Sequence, residues 1–262
     1  MKRNYRLLLA KINYHLAYFY QYRFSSMVHL LSALLWFALG MGGIAIILGN
    51  VSSIGGWTPT EIYILMLVFY LGMAVAHATY YNSLADLTRK IQDGRLDFYL
   101  LKPVSVRYWV SIDKITIPQF LRAFIVLALL VGYCIAHQVT ISMFGIMLAV
   151  LYFWVGQILL YQFFLLLMLA AFWIVNAWNI PWFLDRISDA AELPIDTFDK
   201  KLRFFVLYIT PMAFIAYVPT QALLNRLDPY LAFLALGLIV IFEIIISTVW
   251  KIALRQYSSA SS

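Results

Sequence analysis

Apolar residues run through this chain in long blocks, and polar residues gather in the few gaps between them. The first block, about 27–48, is followed by the glycine-containing polar stretch GNVSSIGGWTPT. The second covers about 61–81, a long polar segment occupies 82–115, and the third block is about 116–136. Each reaches the roughly 20 apolar residues that carry a helix across a bilayer, so each predicts a membrane-spanning helix.

After the short link HQVT comes an apolar run from 141 to 177. As one helix it would be about 55 Å long, well beyond a hydrocarbon core of ~30 Å. It reads either as a single tilted helix with an extension or as a hairpin of two short helices. No turn residue occurs between Gln157 and Asn176, which favours the single helix. The polar stretch LDRISDAAELPIDTFDKKLR follows, within a loop expected over 182–203. A fifth span is expected at 204–224, broken by Pro211 and Pro219, and a sixth at about 230–250.

Composition agrees with this pattern. The chain is 64% hydrophobic and 12% charged, with mean hydropathy +0.84, which excludes an ordinary soluble domain. The single cysteine, Cys134, rules out an intrachain disulfide and a cysteine-based metal site. The net charge of +7 finds its explanation in topology rather than in nucleic acid. Six spans leave both termini on one side, and of the 19 Lys and Arg only Arg226 then falls on the other. That bias makes the terminal side cytoplasmic. The expected architecture is one all-α, six-span permease-like domain over 1–262, N-in and C-in.

The cytoplasmic segments carry their own pattern. Residues 1–24 mix Lys2, Arg3, Arg6 and Lys11 with Leu7, Leu8, Ile12, Tyr14 and Tyr18, as an interfacial helix does. In 82–115, Leu84, Leu87, Thr88 and Ile91 recur at helical spacing, with Asp86, Arg89, Lys90 and Asp93 on other faces. Gly94 supplies a helix stop. Between Arg95 and Lys102, Leu96, Phe98, Leu100 and Leu101 form an apolar plug around one acid, Asp97, and Pro103 ends the regular structure. An apolar surface offered to the cytoplasm calls for a partner.

IQDGRLDFYLLKPV, with TPMAFIAYVPTQALL and the terminal ALRQYSSASS, resembles the permease subunits of ABC-2 type transporters. The nearest subgroup has Gly-x-Leu-Asp-x-x-Leu-x-(Arg/Lys)-Pro in its first cytoplasmic loop. Lys102 stands here where many relatives carry Arg, which keeps the charge and loses the bidentate fork. The resemblance implies the type V exporter fold and a half-transporter pairing with a second permease as homodimer or heterodimer. It also implies two copies of a separate ATP-binding subunit per complex, in a bacterial inner membrane. The helix from Leu84 to Asp93 would be the main coupling helix and 184–203 the second cytoplasmic contact. The broken fifth span would be a re-entrant element near the outer face. Consistent with this division of labour, the chain has no G-x-x-x-x-G-K-[ST] loop, so it is not expected to be an enzyme or to hold a cofactor.

Ionisable groups inside a bilayer are costly and mark candidate sites. His77, Arg122 and Glu243 lie at similar depth, which allows an Arg122–Glu243 ion pair with His77 nearby; structural pairing or snorkelling of Arg122 is the plainer reading. His77 has no second ligand at helical spacing, so no metal is expected. Gln157, Gln162 and Asn176 are candidates for a translocation path or a helix contact. Trp173, Trp178 and Trp182 read as interface markers, and Gly72-x-x-x-Ala76 as a weak packing motif.

A lipid-modifying membrane enzyme is the main alternative, and an assembly factor or channel is a third. Asp185, Asp189, Glu192, Asp196 and Asp199 are the only acidic cluster, alternate with Ala, Ile and Leu, and read as the solvated face of a cytoplasmic helix. An apolar interface slightly favours a hydrophobic or amphipathic cargo.

Overall fold

A computed structural model describes residues 2–102, 105–174 and 177–257; Pro103 and Asn176 lie outside these, as do the side chains of residues 2–8 and of Trp178. Apart from one bridge between Ile54 and Trp57, all regular structure among the described residues is helical. In chain order the α-helices are α1 (Lys2–Gln21), α2 (Arg23–Leu48), α3 (Pro59–Thr79) and α4 (Tyr81–Gln92), then the short α5 (Asp97–Leu100) and α6 (Val106–Ser111). They continue with α7 (Ile117–Ala136), α8 (Met143–Met168), α9 (Ile180–Ser188), α10 (Lys200–Phe204), α11 (Tyr217–Leu223) and α12 (Pro229–Gln256).

Helices α2, α3, α7, α8 and α12 are long and apolar enough to cross a membrane. Within the 141–177 block, Met143–Phe172 forms one rod, because a 3-10 turn continues α8 to Phe172. At the centre stands α3, with 72% of its most apolar window buried against 11% for α2 and α7, so it is the helix the others pack around. Thr58 and Glu61 start it with a reciprocal capping box, and Pro59 occupies the first turn, where no amide hydrogen is needed.

Contacts sort the segments into two ends. Lys11 of α1, Lys90 of α4 and Tyr99 of α5 meet at Asp113. Trp57 stands at the other end, where Glu61 pairs with Arg226 at 2.6 Å and Ser142 meets Asn225.

The segment 180–198 departs from the expected cytoplasmic loop. Asp185 accepts from the Tyr81 hydroxyl at 2.7 Å, Glu192 from Tyr70 at 3.2 Å, and Asp196 from the Trp57 indole at 3.0 Å. Tyr81 and Tyr70 are about 16 Å apart along the helix direction, and Trp57 lies beyond the helix start. The chain therefore climbs antiparallel to α3 from the Asp113 end to the Trp57 end, with Leu184, Ser188, Ala191 and Ile195 buried beneath it. Asp189, Asp196 and Asp199 are exposed, as a solvated face requires, but Asp185, Glu192 and Asp196 are also engaged by ring donors, from α4, α3 and the residue before α3.

The expected broken fifth span is bent sharply. Lys200–Ile209 and Met212–Leu223 meet at 73°, and both outer ends return to the Trp57 end. Arg203 reaches Asp196 at 3.5 Å, Tyr208 bonds Tyr230 at 2.7 Å, and Asn225 meets Ser142. This is a re-entrant hairpin. Its bend falls at Pro211, whereas Pro219 sits in the first turn of α11 and breaks nothing. The hairpin tip enters the bundle because Gly156 of α8 has no side chain, and a Cβ there would overlap the Phe214 carbonyl.

Lys200, Lys201 and Arg203 thus join Arg226 at the Trp57 end. The basic residues of α1, α4, α6 and the end of α12 remain at the Asp113 end, the bias expected of a cytoplasmic end.

Candidate functional site

Two regions collect the candidate residues: a mount at the Asp113 end formed by α1, α4, α5 and 113–116, and a polar belt among the long helices.

The mount is built on Asp113, which the sequence reading passed over. Its Oδ1 accepts from Lys11 Nζ at 2.8 Å; Oδ2 accepts from Lys90 Nζ at 2.6 Å and from the Tyr99 hydroxyl at 2.8 Å. Burial would push the Asp113 carboxyl up, but the bonds from Lys11 and Lys90 overcome it and hold the group well below the usual carboxylate range. Asp86 adds salt bridges to Lys114 at 2.8 Å and Lys90 at 3.3 Å. Lys90 and Lys102 each lie 4.9 Å from the Tyr99 ring centre, and Lys11 4.8 Å from that of Trp109. Ser83 fixes α4 to the same strut: its hydroxyl accepts from the Lys114 amide at 2.7 Å and lies 3.1 Å from the Lys114 carbonyl.

This mount reassigns the expected coupling residues. Leu84, Leu87, Ile91 and Leu96 are buried and join α4 to the rest of the subunit. Gly94, at φ +70°, turns the chain out of α4, and the Leu96 amide donates to the Lys90 carbonyl across the turn. What faces outward is Phe98 (66% exposed), Leu100 (40%) and Leu101 (83%), with Arg89, Arg95 and Lys102 exposed around them. Arg95 pairs with Asp93 at 2.6 Å, and Asp97 is half-buried.

The intramembrane candidates separate into four groups. Glu243 does not pair with Arg122. Arg107 takes it with a two-toothed grip, Nη1 to Oε1 at 2.6 Å and Nη2 to Oε2 at 2.8 Å, assisted by Ser247 at 3.1 Å and Gln162 at 3.3 Å. Arg107 lies on α6, a helix too short to register in the hydropathy pattern, so no sequence signal advertised it. Gln157 accepts from Tyr80 at 3.1 Å deep in the bundle. His77 stacks on Tyr81 with ring centres 4.1 Å apart, and its Nδ1 is 3.0 Å from the Met73 carbonyl.

Arg122 points from α7 toward α3. Its guanidinium lies 5.9 Å from the Tyr70 ring centre, and Nη1 makes a long 3.4 Å bond to Gln119. The side-chain nitrogen Nε is buried with no hydrogen-bond partner. Beneath it, toward the Asp113 end, a cleft of about 730 Å³ opens between α2, α4, α7 and α9, lined by His77, Asn82, Thr116, Gln119 and Trp182 among others. Among the interface tryptophans, Trp182 is exposed and Trp173 donates to Gln256 at 2.6 Å. No group of three His, Cys, Asp or Glu among the described residues could hold a metal ion.

A family model described as ABC-2 family transporter protein matches residues 34–261. No curated protein and no solved structure matches the chain. The match covers the apolar helices, the Phe98–Leu101 surface and the re-entrant hairpin together, and the chain is a multi-pass membrane protein of the ABC-2 transporter family, a permease component whose family in general works with an ATP-binding partner.

Proposed function

We propose that this chain is half of the translocation unit of an ATP-driven exporter and takes its ATPase through the 94–102 turn. The observation that carries this reading is an exposed apolar face, Phe98 with Leu100 and Leu101, held on a rigid mount of buried charges. An apolar patch ringed by Arg89, Arg95 and Lys102 is the form of a protein docking site. The mount continues through α4 into α3, so a push on the turn reaches the central helix and the 180–198 segment bonded along it. Two such halves, identical or related, with two ATPase copies, would complete a transporter in a bacterial inner membrane, moving cargo outward between them.

The lipid-enzyme alternative needs carboxylates that converge. Asp185, Glu192 and Asp196 are instead strung along α3, each engaged by a different ring donor. The test is co-purification with an ATPase encoded beside the permease. Phe98→Ala with Leu101→Ala should leave the permease in the membrane and remove the ATPase from the purified complex. Retention of a fully coupled ATPase by this variant sinks the docking assignment.

A further inference from the structure

We infer that Arg122 is the anion-recognising group of an amphiphile-binding cleft open to the inner leaflet. The inference rests on the permease reading and adds a ligand class to it.

Arg122 is 9% exposed, yet no carboxylate reaches it among the described residues. A guanidinium offers five N–H donors; here one long bond to Gln119 and the face of Tyr70 are its polar contacts, and Nε is left without a partner. A buried charge with donors unmet is costly unless something supplies the counter-charge. Arg107 on α6, by contrast, has met that need within the chain through Glu243. The acids around the cleft are not free to do the same for Arg122. Asp86 is held by Lys90 and Lys114, and Asp185 accepts from Tyr81.

Gln119 and His77 connect Arg122 to open space. Both line the cleft, and Arg122 sits one turn deeper on α7 than Pro118 and Gln119, with its side chain drawn back toward Gln119. The cations Arg89 and Lys114 line the outer part of the cleft, and Asn82 donates to the His77 carbonyl and to Thr116. A ligand entering between α7 and α9 would pass these to reach Gln119 and His77, directly behind which the guanidinium lies. The chemistry that fits is a phosphate on an apolar tail: the fork matches phosphate oxygens, while the exposed Trp182 and Phe183 beside α9 suit the tail.

The full chain in detergent, without its ATPase, is titrated with dioctanoyl phosphatidate, dioctanoylglycerol and inorganic phosphate. Because no ATPase is present, failure here leaves the docking reading standing. Phosphatidate should bind at least tenfold more tightly than either control, and Arg122→Gln should remove on the order of tenfold of that affinity, as loss of a charge-assisted bond does, leaving dioctanoylglycerol unchanged. If Arg122→Gln does not reach the membrane, Arg122→Lys carries the test. It keeps charge without the fork and should weaken phosphatidate severalfold at unchanged dioctanoylglycerol affinity. Equal binding of phosphatidate by wild type and variant overturns the inference. So does inorganic phosphate binding as well as phosphatidate, or dioctanoylglycerol competing equally.

Discussion

Asp113 illustrates how one side chain fixes a whole surface. Lys90, 4% exposed, has Asp113 and Asp86 as its ion-pair partners, and Lys11 pairs with Asp113 among the described residues. Asp113→Asn leaves a buried ammonium under-compensated and should cost about 3 kcal/mol, read as a lower unfolding temperature in detergent. The sign of the pH dependence follows from the depressed carboxyl. Its stabilisation is present above the unfolded value of about 4 and is lost as pH falls through the lower folded value. The gap between wild type and Asp113→Asn should therefore stay constant from about pH 5.5 to 8 and narrow below about pH 4. Within the membrane belt, charge reversal at Arg107 and Glu243 together should restore folding that each single reversal impairs. The same exchange between Arg122 and Glu243 should rescue nothing.

At the scale of elements, hydropathy was sufficient wherever a helix meets lipid or a mostly apolar neighbour. The positions of α2, α3, α7 and α12 were legible for that reason, though α2 starts at Arg23 and α12 runs on to Gln256; the unbroken α8 was legible too, since no residue between Gln157 and Asn176 could turn the chain. The method fails at 180–198 because three of its acids find Tyr81, Tyr70 and Trp57, and no sliding average can see a partner over 100 residues away. A topology experiment separates the two placements. In a Cys134→Ser background, Lys201→Cys should react with a membrane-impermeant maleimide on intact cells; reaction only after permeabilisation would restore the cytoplasmic loop. The hairpin makes a second prediction. Gly156→Ala drives a Cβ into the Phe214 carbonyl and should destabilise the protein, whereas Gly43→Ala meets no atom within 4 Å and should be neutral or slightly stabilising. Comparing their unfolding temperatures checks both.

Across the whole molecule, the family and its six-pass logic were readable from charge bias, apolar blocks and the 94–103 stretch. The docking surface was only half readable. Helical spacing picks out Leu84, Leu87 and Ile91 as a face without saying which way it points, and they point inward. The outward residues follow Gly94, where periodicity ends. The resulting picture is a lever: a charged cytoplasmic mount, a central helix α3, and a segment bonded along its length to a re-entrant cap. Photo-crosslinking tests its central claim most directly. A benzoylphenylalanine placed at position 98 or 101 in membranes containing the assembled complex should yield an adduct with the ATP-binding subunit, and one at Met143, at the opposite end, should not. Absence of the ATPase adduct from both 98 and 101, or equal yield from 143, would contradict the account.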